Sequence, residues 1–262
     1  MSAPPAVRLW EVDLARTAAI GMMVVYHAAY DVDLLAPQVG LDPLSGGWRA
    51  LQVATGSSFL AIVGASLAIS NGRRRARGER GAALVRHHAR RAAQVAAAAL
   101  LVSAATFVAL GDDYVRFGIL HCIAVAMIVC AALAPLGRWN LPLAAAAVAA
   151  GLALRGAPES GVPGLMVLGI PPEGTAGVDW YPLLPWLGPA LAGLAIGQVL
   201  YPAGRRGGWG RLLPAAPPWA TAAGWPGRHA LPIYLVHQPV LIPLVGAGLA
   251  IAGVGISLDR FR

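Results

Sequence analysis

Long apolar runs divide the chain into segments of membrane-spanning length. Crossing the hydrocarbon core of a bilayer takes about 20 predominantly apolar residues in a helix. Seven runs approach this length and predict an all-α membrane helix bundle of about seven transmembrane helices, forming one domain over residues 1–262. The predicted spans are 12–30, 48–70, 92–110, 117–136, 138–155, 183–201 and 230–252. The fifth is the weakest, because its clean apolar core, Leu141 to Leu154, is short and rich in alanine and glycine.

Composition supports a membrane rather than an aqueous environment. Only 12% of residues are charged and 57% are apolar, whereas soluble domains carry about 25% charged residues. The formal net charge of +8 comes from arginine alone, without lysine. One hydrophilic gap holds Arg73, Arg74, Arg75, Arg77, Arg80, Arg86, Arg90 and Arg91. Without interleaved aromatic residues, this cluster favours a positive-inside topology signal over a nucleic-acid surface; a site for an anionic ligand or lipid is the alternative.

The arginine-rich gap predicts an orientation. If residues 73–91 face the cytoplasm, alternation of the spans places the N-terminus inside and the C-terminus outside. The inside set is then Arg8, Arg138, Arg205, Arg206, Arg211 and Arg228. The outside set of acidic residues is Asp31, Asp33, Asp42, Asp112, Asp113, Glu159, Glu173, Asp179 and Asp259. The exceptions Arg49, Arg116, Arg155, Arg260 and Arg262 are scattered.

Several common site types are not indicated. Cys122 and Cys130 lie in one apolar run and show no disulfide framework or metal spacing. The N-terminal segment does not resemble a signal peptide, since Glu11, Asp13 and Arg16 interrupt it. P-loop, dinucleotide, zinc-protease and GxSxG patterns are missing from the sequence. We expect no metal, because the intramembrane histidines are spread over three predicted helices.

Polar residues inside apolar spans are costly and therefore indicate partners or function. His27 lies near the outer end of the first span, and Asp31 follows one helical turn later on the same face. A carboxylate beside an imidazole can orient a general base or an acyl-accepting nucleophile, so both are catalytic candidates. An interfacial histidine with a solvated aspartate explains the same spacing.

Charged pairs mark the predicted cytoplasmic ends of the first and last spans. Asp13 and Arg16 are three residues apart, and Arg228 precedes His229. These four residues are candidates for binding an anionic co-substrate that arrives from the cytoplasm. A neutralising ion pair at the membrane edge is the simpler interpretation of Asp13 and Arg16.

Further polar residues could bind a substrate nearer the outer face. His121 lies one turn into the fourth span, at about the depth of His27, and Asp179 and Trp180 precede the sixth. Together they could form an outer pocket, although Trp180 and its neighbour Tyr181 also suit an interfacial aromatic belt. In the seventh span, His237 and Gln238 could line a cavity or form a helix–helix hydrogen bond.

Four segments together resemble the bacterial relatives of heparan-α-glucosaminide N-acetyltransferase, a family of transmembrane acyltransferases. They are RLWEVDLARTAAIGMMVVYHAAYD from Arg8, RFGILHCIAVAMI from Arg116, DWYPLLPWLGPALAGLAIG from Asp179 and GRHALPIYLVHQPVLI from Gly227. The segments cover roughly 70 residues in the family's order. One departure is Thr17, where the family often has glycine; a β-branched residue there would keep a neighbouring helix or ligand further away.

The resemblance implies transfer of an acetyl or other acyl group from cytoplasmic acyl-CoA, as co-substrate, to an extracytoplasmic amino sugar or other glycan. His27 corresponds to the family's catalytic histidine. The lipid bilayer is the implied environment, the bacterial inner membrane the implied location, and a homodimer is compatible with the family. Nucleic acid is not an expected partner. A proton-coupled transporter of small solutes and a non-catalytic membrane scaffold are the alternatives.

Overall fold

The computed structural model describes residues 8–162, 164–174 and 177–257. Within them the helices are α1 (Trp10–Leu35), α2 (Gly46–Ala76), α3 (Ala82–Leu110), α4 (Ile119–Leu133), α5 (Asn140–Ala153), α6 (Leu165–Leu168), α7 (Leu183–Leu200), α8 (Pro218–Ala223), α9 (Trp225–Arg228) and α10 (Ala230–Ile251). Short 3-10 turns occupy Pro37–Val39, Gly111–Asp113, Ala134–Trp139, Pro202–Gly204 and Gly208–Leu212. The described residues contain no β-strand, only a bridge between Ser160 and Pro172. The predicted all-α helix bundle is confirmed.

Six stretches of the described chain are long and apolar enough to cross a membrane. Five of them correspond to single predicted spans. The stretch Ile119–Ala153 contains two, 117–136 and 138–155. It is not one continuous helix, because Gly137 between α4 and α5 has a φ of 57°, in the left-handed region that glycine tolerates.

The contacts of α7 show that α4 and α5 run in opposite directions. The first turn of α4 touches Pro182, at the start of α7. The carbonyl of Ala134, just after α4, accepts a hydrogen bond from the Gln198 amide near the end of α7, at 2.8 Å. Gly151, near the end of α5, packs back against Pro185. Residues 134–139 therefore form the turn of a helical hairpin made by α4 and α5. The stretch Ile119–Ala153 thus passes through the bundle twice.

The same kind of contact orders the whole bundle between two ends. Helices α1, α3, α5 and α10 run in one direction, and α2, α4 and α7 run in the other. We call one end of the bundle, formed by residues 77–81, 134–139 and 201–229, the arginine end. The opposite end, formed by 36–45, 111–118, 154–162, 164–174 and 177–182, is the acidic end. At the arginine end, the Arg206 guanidinium binds the Glu11 carboxylate at 2.7 Å and ties the 201–212 segment to α1.

The closest helix packing joins α2 to α7. A Cβ added to Gly64 would lie 1.9 Å from the carbonyl oxygen of Ala190, and one added to Gly193 would lie 2.0 Å from that of Ala61. Gly197 similarly faces the backbone of Ala65. Small residues allow transmembrane backbones to approach this closely, where dispersion contacts and weak hydrogen bonds hold them.

The arginine-rich gap differs from the prediction. The third span was expected to begin at residue 92, but α3 begins at Ala82 and α2 continues to Ala76. Only residues 77–81 form the turn between them. Arginine is a good helix former, and cations in the last turn of α2 interact favourably with the helix dipole, so both helices extend beyond the apolar core. Asp259, Arg260 and Arg262 lie outside the described residues.

Candidate active site

Two histidines from the first and last spans meet in the bundle. The rings of His27 on α1 and His237 on α10 lie edge to face, with centroids 4.7 Å apart. The Nδ1 atom of His27 lies 2.9 Å from the Met23 carbonyl, and that of His237 is bonded to the Tyr234 carbonyl. A carbonyl only accepts, so each Nδ1 carries the hydrogen and each neutral ring keeps its lone pair on Nε2. His27 can therefore act as a base or nucleophile.

The predicted pairing of Asp31 with His27 is wrong, because each side chain forms its hydrogen bond with another residue. Asp31 is fully buried, and its Oδ1 accepts a 3.0 Å hydrogen bond from the amide of Gln238 on α10. The His27 Nδ1 is instead satisfied by its own helix, at Met23. Residues four apart share a face, but an imidazole that bonds back to the preceding turn turns away from the following one. Asp31 and Gln238 thus hold α1 against α10 one turn beyond the histidine pair.

Behind that hydrogen bond lies a small group of buried atoms that lack protein partners. Within the described residues, Asp31 Oδ2, Gln238 Oε1 and His237 Nε2 have no hydrogen-bond partner. Buried polar groups usually have a protein or water partner, so this cluster suits ordered water. Ordered water there would link α1 to α10 a second time, beside the hydrogen bond between Asp31 and Gln238.

A small chamber surrounds the His27 ring. Its volume is about 30 Å³. Its walls are Met23, Tyr26, His27, Gln52, Thr55, Phe59, Ile119, Asp179, Tyr181 and Tyr234. We call this space the histidine chamber. Apolar and aromatic side chains dominate it, with the polar groups of Gln52, Thr55 and Asp179 grouped among them.

A much larger cavity extends from the arginine end toward the same place. Its volume is about 500 Å³, within the range of small-molecule sites. The polar side chains that line it are Arg16, Ser66, Ser70, His88, Arg91, Gln94 and Arg228. The remaining walls are mainly aliphatic residues of α2, α3, α4 and α10. We call this space the donor cavity.

Three side chains separate the two spaces. Phe59 on α2, Ile119 on α4 and Tyr234 on α10 line both the donor cavity and the histidine chamber. They form a partition between the arginine-lined space and the His27 ring. The donor cavity therefore adjoins the chamber of His27 at these three residues.

Asp179 brings a carboxylate to the acidic side of the histidine chamber. Its Oδ2 accepts a 3.1 Å hydrogen bond from the backbone N–H of Ile119, at the start of α4. Gly118 allows this approach, because a Cβ there would lie 2.3 Å from the same oxygen. Burial raises the pKa of Asp179 to about 6, and the Ile119 N–H opposes part of that rise. The carboxyl therefore titrates close to neutral pH.

His121 and Trp180 have contacts within the fold. The Nδ1 of His121 accepts from the Gly118 N–H at 3.2 Å, and its Nε2 lies 3.4 Å from the Ser103 hydroxyl. The indole of Trp180 donates to the Met166 carbonyl at 3.0 Å. Neither residue lines the histidine chamber or the donor cavity. Of the predicted outer pocket, Asp179 faces the chamber, whereas His121 stabilises the start of α4.

Asp13 and Arg16 form an ion pair within a wider network. Asp13 is buried and binds Arg8 at 2.8 Å and Arg16 at 3.1 Å. Arg16 also donates to the Ser66 hydroxyl at 2.6 Å and lines the donor cavity. Asp13 therefore positions Arg16 rather than facing a ligand itself.

Arg228 and His229 differ in the same way. Arg228 lines the donor cavity and donates to the Thr221 carbonyl at 2.8 Å. His229 stacks on Trp225 and bonds its carbonyl, and it is absent from the cavity lining. Of the two predicted cofactor-binding residues at the start of α10, the structure brings only Arg228 to the cavity.

Thr17 has a different effect from the one expected. Its hydroxyl donates to the Ala223 carbonyl at 2.9 Å and accepts from the Gly227 N–H at 3.0 Å. The close approach is preserved by Gly227, where a Cβ would lie 2.0 Å from the Asp13 carbonyl oxygen. The small residue of this contact is thus Gly227, which faces α1, rather than residue 17 on α1 itself. Thr17 tethers the segment that carries Arg228.

Sequence reasoning missed the lining that comes from the middle of the chain. These residues are Gln52, Thr55 and Phe59 on α2, His88 on α3, and Tyr234 on α10, whereas Arg91 belongs to the arginine cluster already considered as a site for an anionic ligand. The available signal was the spacing of polar residues on α2, since Gln52, Thr55, Ser66 and Ser70 follow one another after about one, three and one helical turns. That spacing places them on one face of an otherwise apolar helix.

Fold and site define a multi-pass membrane protein in which an arginine-lined cavity adjoins a small chamber that contains the half-buried His27. The chain belongs to the family described as heparan-alpha-glucosaminide N-acetyltransferase, catalytic, which it matches over residues 8–239. The match includes His27, Asp179 and His237. No curated protein and no solved structure matches the chain. Membership assigns a membrane acyltransferase role in general terms.

Proposed function

We propose that the protein transfers an acetyl group from acetyl-CoA, bound in the donor cavity, to an amine or hydroxyl of a glycan that reaches His27 from the acidic end. The observation that carries this proposal is that two spaces adjoin at Phe59, Ile119 and Tyr234, and that the smaller space contains the His27 ring. One space is long and cationic at its mouth. The other is small and presents a carboxylate.

The dimensions of the donor cavity agree with coenzyme A. Arg16 and His27 are eleven residues apart on α1, a rise of roughly 16 Å. The pantetheine arm has about twelve chain bonds, comparable to four extended residues or roughly 14 Å. A donor whose phosphates meet Arg16, Arg91 and Arg228 would therefore place its thioester at the partition, next to His27. Guanidinium groups suit phosphate because they offer paired donors.

The acyl transfer requires one nitrogen lone pair, that of His27 Nε2. In direct transfer, His27 Nε2 removes the proton from the acceptor as its nitrogen or oxygen attacks the thioester carbonyl. The carbon–sulfur bond then breaks, and the proton passes to the CoA thiolate. In the covalent route, Nε2 attacks the carbonyl, CoA leaves, and the acceptor displaces the histidine from the acyl-imidazole. Acid quenching followed by peptide mass spectrometry distinguishes the routes, because only the second leaves acetyl on His27.

Asp179 supports binding of the acceptor. It is the carboxylate in the wall of the histidine chamber, and when ionised it can hold an amine in its ammonium form. An acceptor hydroxyl could instead donate a hydrogen bond to it. The polar groups of Gln52 and Thr55 lie in the same wall.

The orientation that suits this reaction has the arginine end in the cytoplasm, which also places the N-terminus there. Acetyl-CoA would then enter from the compartment where it is made. The arginines near residues 73–91 agree with the positive-inside rule in this orientation. The acceptor would approach from the extracytoplasmic side.

A direct test uses purified protein, acetyl-CoA and glucosamine, with release of CoA and formation of N-acetylglucosamine as readouts. His27→Ala should lower the rate at least about 100-fold, the usual minimum for loss of a general base. His229→Ala is the matched control, since His229 is exposed, bonds the Trp225 carbonyl and lies outside both cavities. Equal rates in wild type and His27→Ala would refute the role of His27. Solute uptake without consumption of acetyl-CoA would instead favour a transporter.

A further inference from the structure

The partition and the histidine chamber together limit the size of the acyl group that a donor can carry on its thioester sulfur. The chamber of about 30 Å³ exceeds the space for one water molecule by only a small factor. A methyl group and a carbonyl oxygen would fill it. A longer acyl chain needs more room, either within the chamber or through its walls.

Tyr181 in the chamber wall is backed by a second aromatic ring, and both rings lie against a glycine of α2. The rings of Tyr181 and Trp186 pack with centroids 4.6 Å apart. A Cβ on Gly56 would lie 2.7 Å from the Tyr181 ring and 2.9 Å from that of Trp186. These rings thus press directly on the α2 backbone. This wall has little freedom to retreat from a longer chain.

The partition itself offers the other direction for expansion. Of its three members, Ile119 is tied to Asp179 through its backbone, and the Tyr234 carbonyl is bonded to His237. Phe59 lies on α2 between Thr55, which lines the chamber, and Ile62 and Val63, which line the donor cavity. Its ring is partly buried and has open space on both sides. Phe59 is therefore the member whose size decides how far the chamber extends.

We propose that Phe59 is the specificity-determining residue for acyl length and that its ring restricts the donor to two-carbon acyl groups. The proposal rests on the proposed function, because it requires the thioester of an acyl-CoA to meet His27 at this partition. Removal of the ring would join the two spaces and give a longer chain room to fold back toward the donor cavity. Each added methylene that a small apolar pocket rejects changes selectivity by about 10–200-fold.

Stable thioethers test the inference without an acceptor or turnover. Binding of CoA, S-ethyl-CoA, S-butyl-CoA and S-hexyl-CoA to purified protein would be measured calorimetrically. Wild type should bind the ethyl analogue at least about 10-fold more tightly than the butyl analogue. Phe59→Ala should reduce that ratio to within about 3-fold, and Phe59→Leu should give an intermediate ratio.

Phe107→Ala is the matched control, because Phe107 on α3 is 57% exposed and packs on Tyr114 away from both cavities. It should keep the wild-type ratio. If CoA itself binds but Phe59→Ala leaves the ethyl-to-butyl ratio unchanged, or wild type binds both analogues equally, the inference is overturned and the proposed function stands. If neither CoA nor any thioether binds wild type, the proposed function fails and the inference with it.

Discussion

The two faces of α2 meet the rest of the bundle in different ways. One face packs backbone to backbone against α7 through Gly64, Gly193 and Gly197. The other presents Gln52, Thr55, Phe59, Ser66 and Ser70 to the two spaces that meet near His27. Glycine contacts leave no room for adjustment, whereas side chains that line a cavity can move around a ligand. One helix thus combines a fixed seam with an adaptable wall.

The largest expected effect comes from breaking the seam. Gly64→Val would place a side chain where a Cβ alone would lie 1.9 Å from the Ala190 carbonyl. We expect α2 and α7 to separate, at a cost of about 3 kcal/mol or more, and the protein to aggregate on extraction. The fraction that elutes as a single species in size-exclusion chromatography measures this.

Gly21→Ala on α1 serves as the control, because nothing lies within 4 Å of the added Cβ. It should elute like wild type and be slightly more stable, since alanine favours the helix. Normal behaviour of Gly64→Val would show that the seam is not fixed.

A smaller effect should follow from a change in the wall of the donor cavity. Arg91→Gln removes a guanidinium from the cavity without touching the seam. We expect KM for acetyl-CoA to rise about 10-fold, or about 1.4 kcal/mol, with kcat nearly unchanged, because a phosphate contact binds ground state and transition state alike. The effect should shrink at high salt.

Arg155→Gln is the matched control for this experiment. Arg155 is exposed and lies at the acidic end. Its loss should leave KM unchanged. Equal rises in KM for both variants would mean that general charge, rather than the cavity, attracts the donor.

The smallest effect concerns the acidic side of the wall. Burial raises the pKa of Asp179 to about 6 from 3.8, so between these values folding takes up a proton. Stability from this group should therefore increase as pH falls through 6 and level off below about 4. The Asp179→Asn variant does not titrate at this position. The Tm of wild type minus that of Asp179→Asn should therefore increase by about 2–4 °C between pH 7 and pH 5.

Asp112→Asn provides the reference for this measurement, because Asp112 is exposed at the same end. Its Tm should follow that of wild type across the pH range. A wild-type Tm that runs parallel to Asp179→Asn at every pH would contradict the raised pKa.

The sequence predicted the scaffold better than the site. Span length follows from bilayer thickness, so the apolar runs located the six membrane-length stretches of the described residues, of which Ile119–Ala153 holds two predicted spans on either side of Gly137. The seam is less visible, because Gly64 and Gly193 belong to helices more than 100 residues apart. Hydropathy also placed the start of α3 too late, since it does not register helical arginines beyond the apolar core.

Within the site, single residues were easier to predict than their pairing. His27, Asp179 and Arg228 were identified as costly or clustered polar groups. The contact of His27 with His237 joins residues 210 positions apart and needs the fold. Phe59 was not predicted, because a partition between cavities has no sequence pattern. His121 was predicted to bind substrate. A histidine that accepts a hydrogen bond at the start of a helix occupies the same sequence position, so the sequence alone does not separate the two roles.

In the proposed mechanism, an acyl group passes from a donor at the arginine end to an acceptor that arrives from the acidic end. Sealed proteoliposomes test it, with orientation determined by tryptic cleavage in the arginine-rich turn at residues 77–81. Labelled acetyl-CoA is supplied only at the arginine end and glucosamine only at the acidic end. Wild type should form labelled N-acetylglucosamine in the glucosamine compartment, and His27→Ala should form none. Product formed only when both substrates share one side would contradict this mechanism.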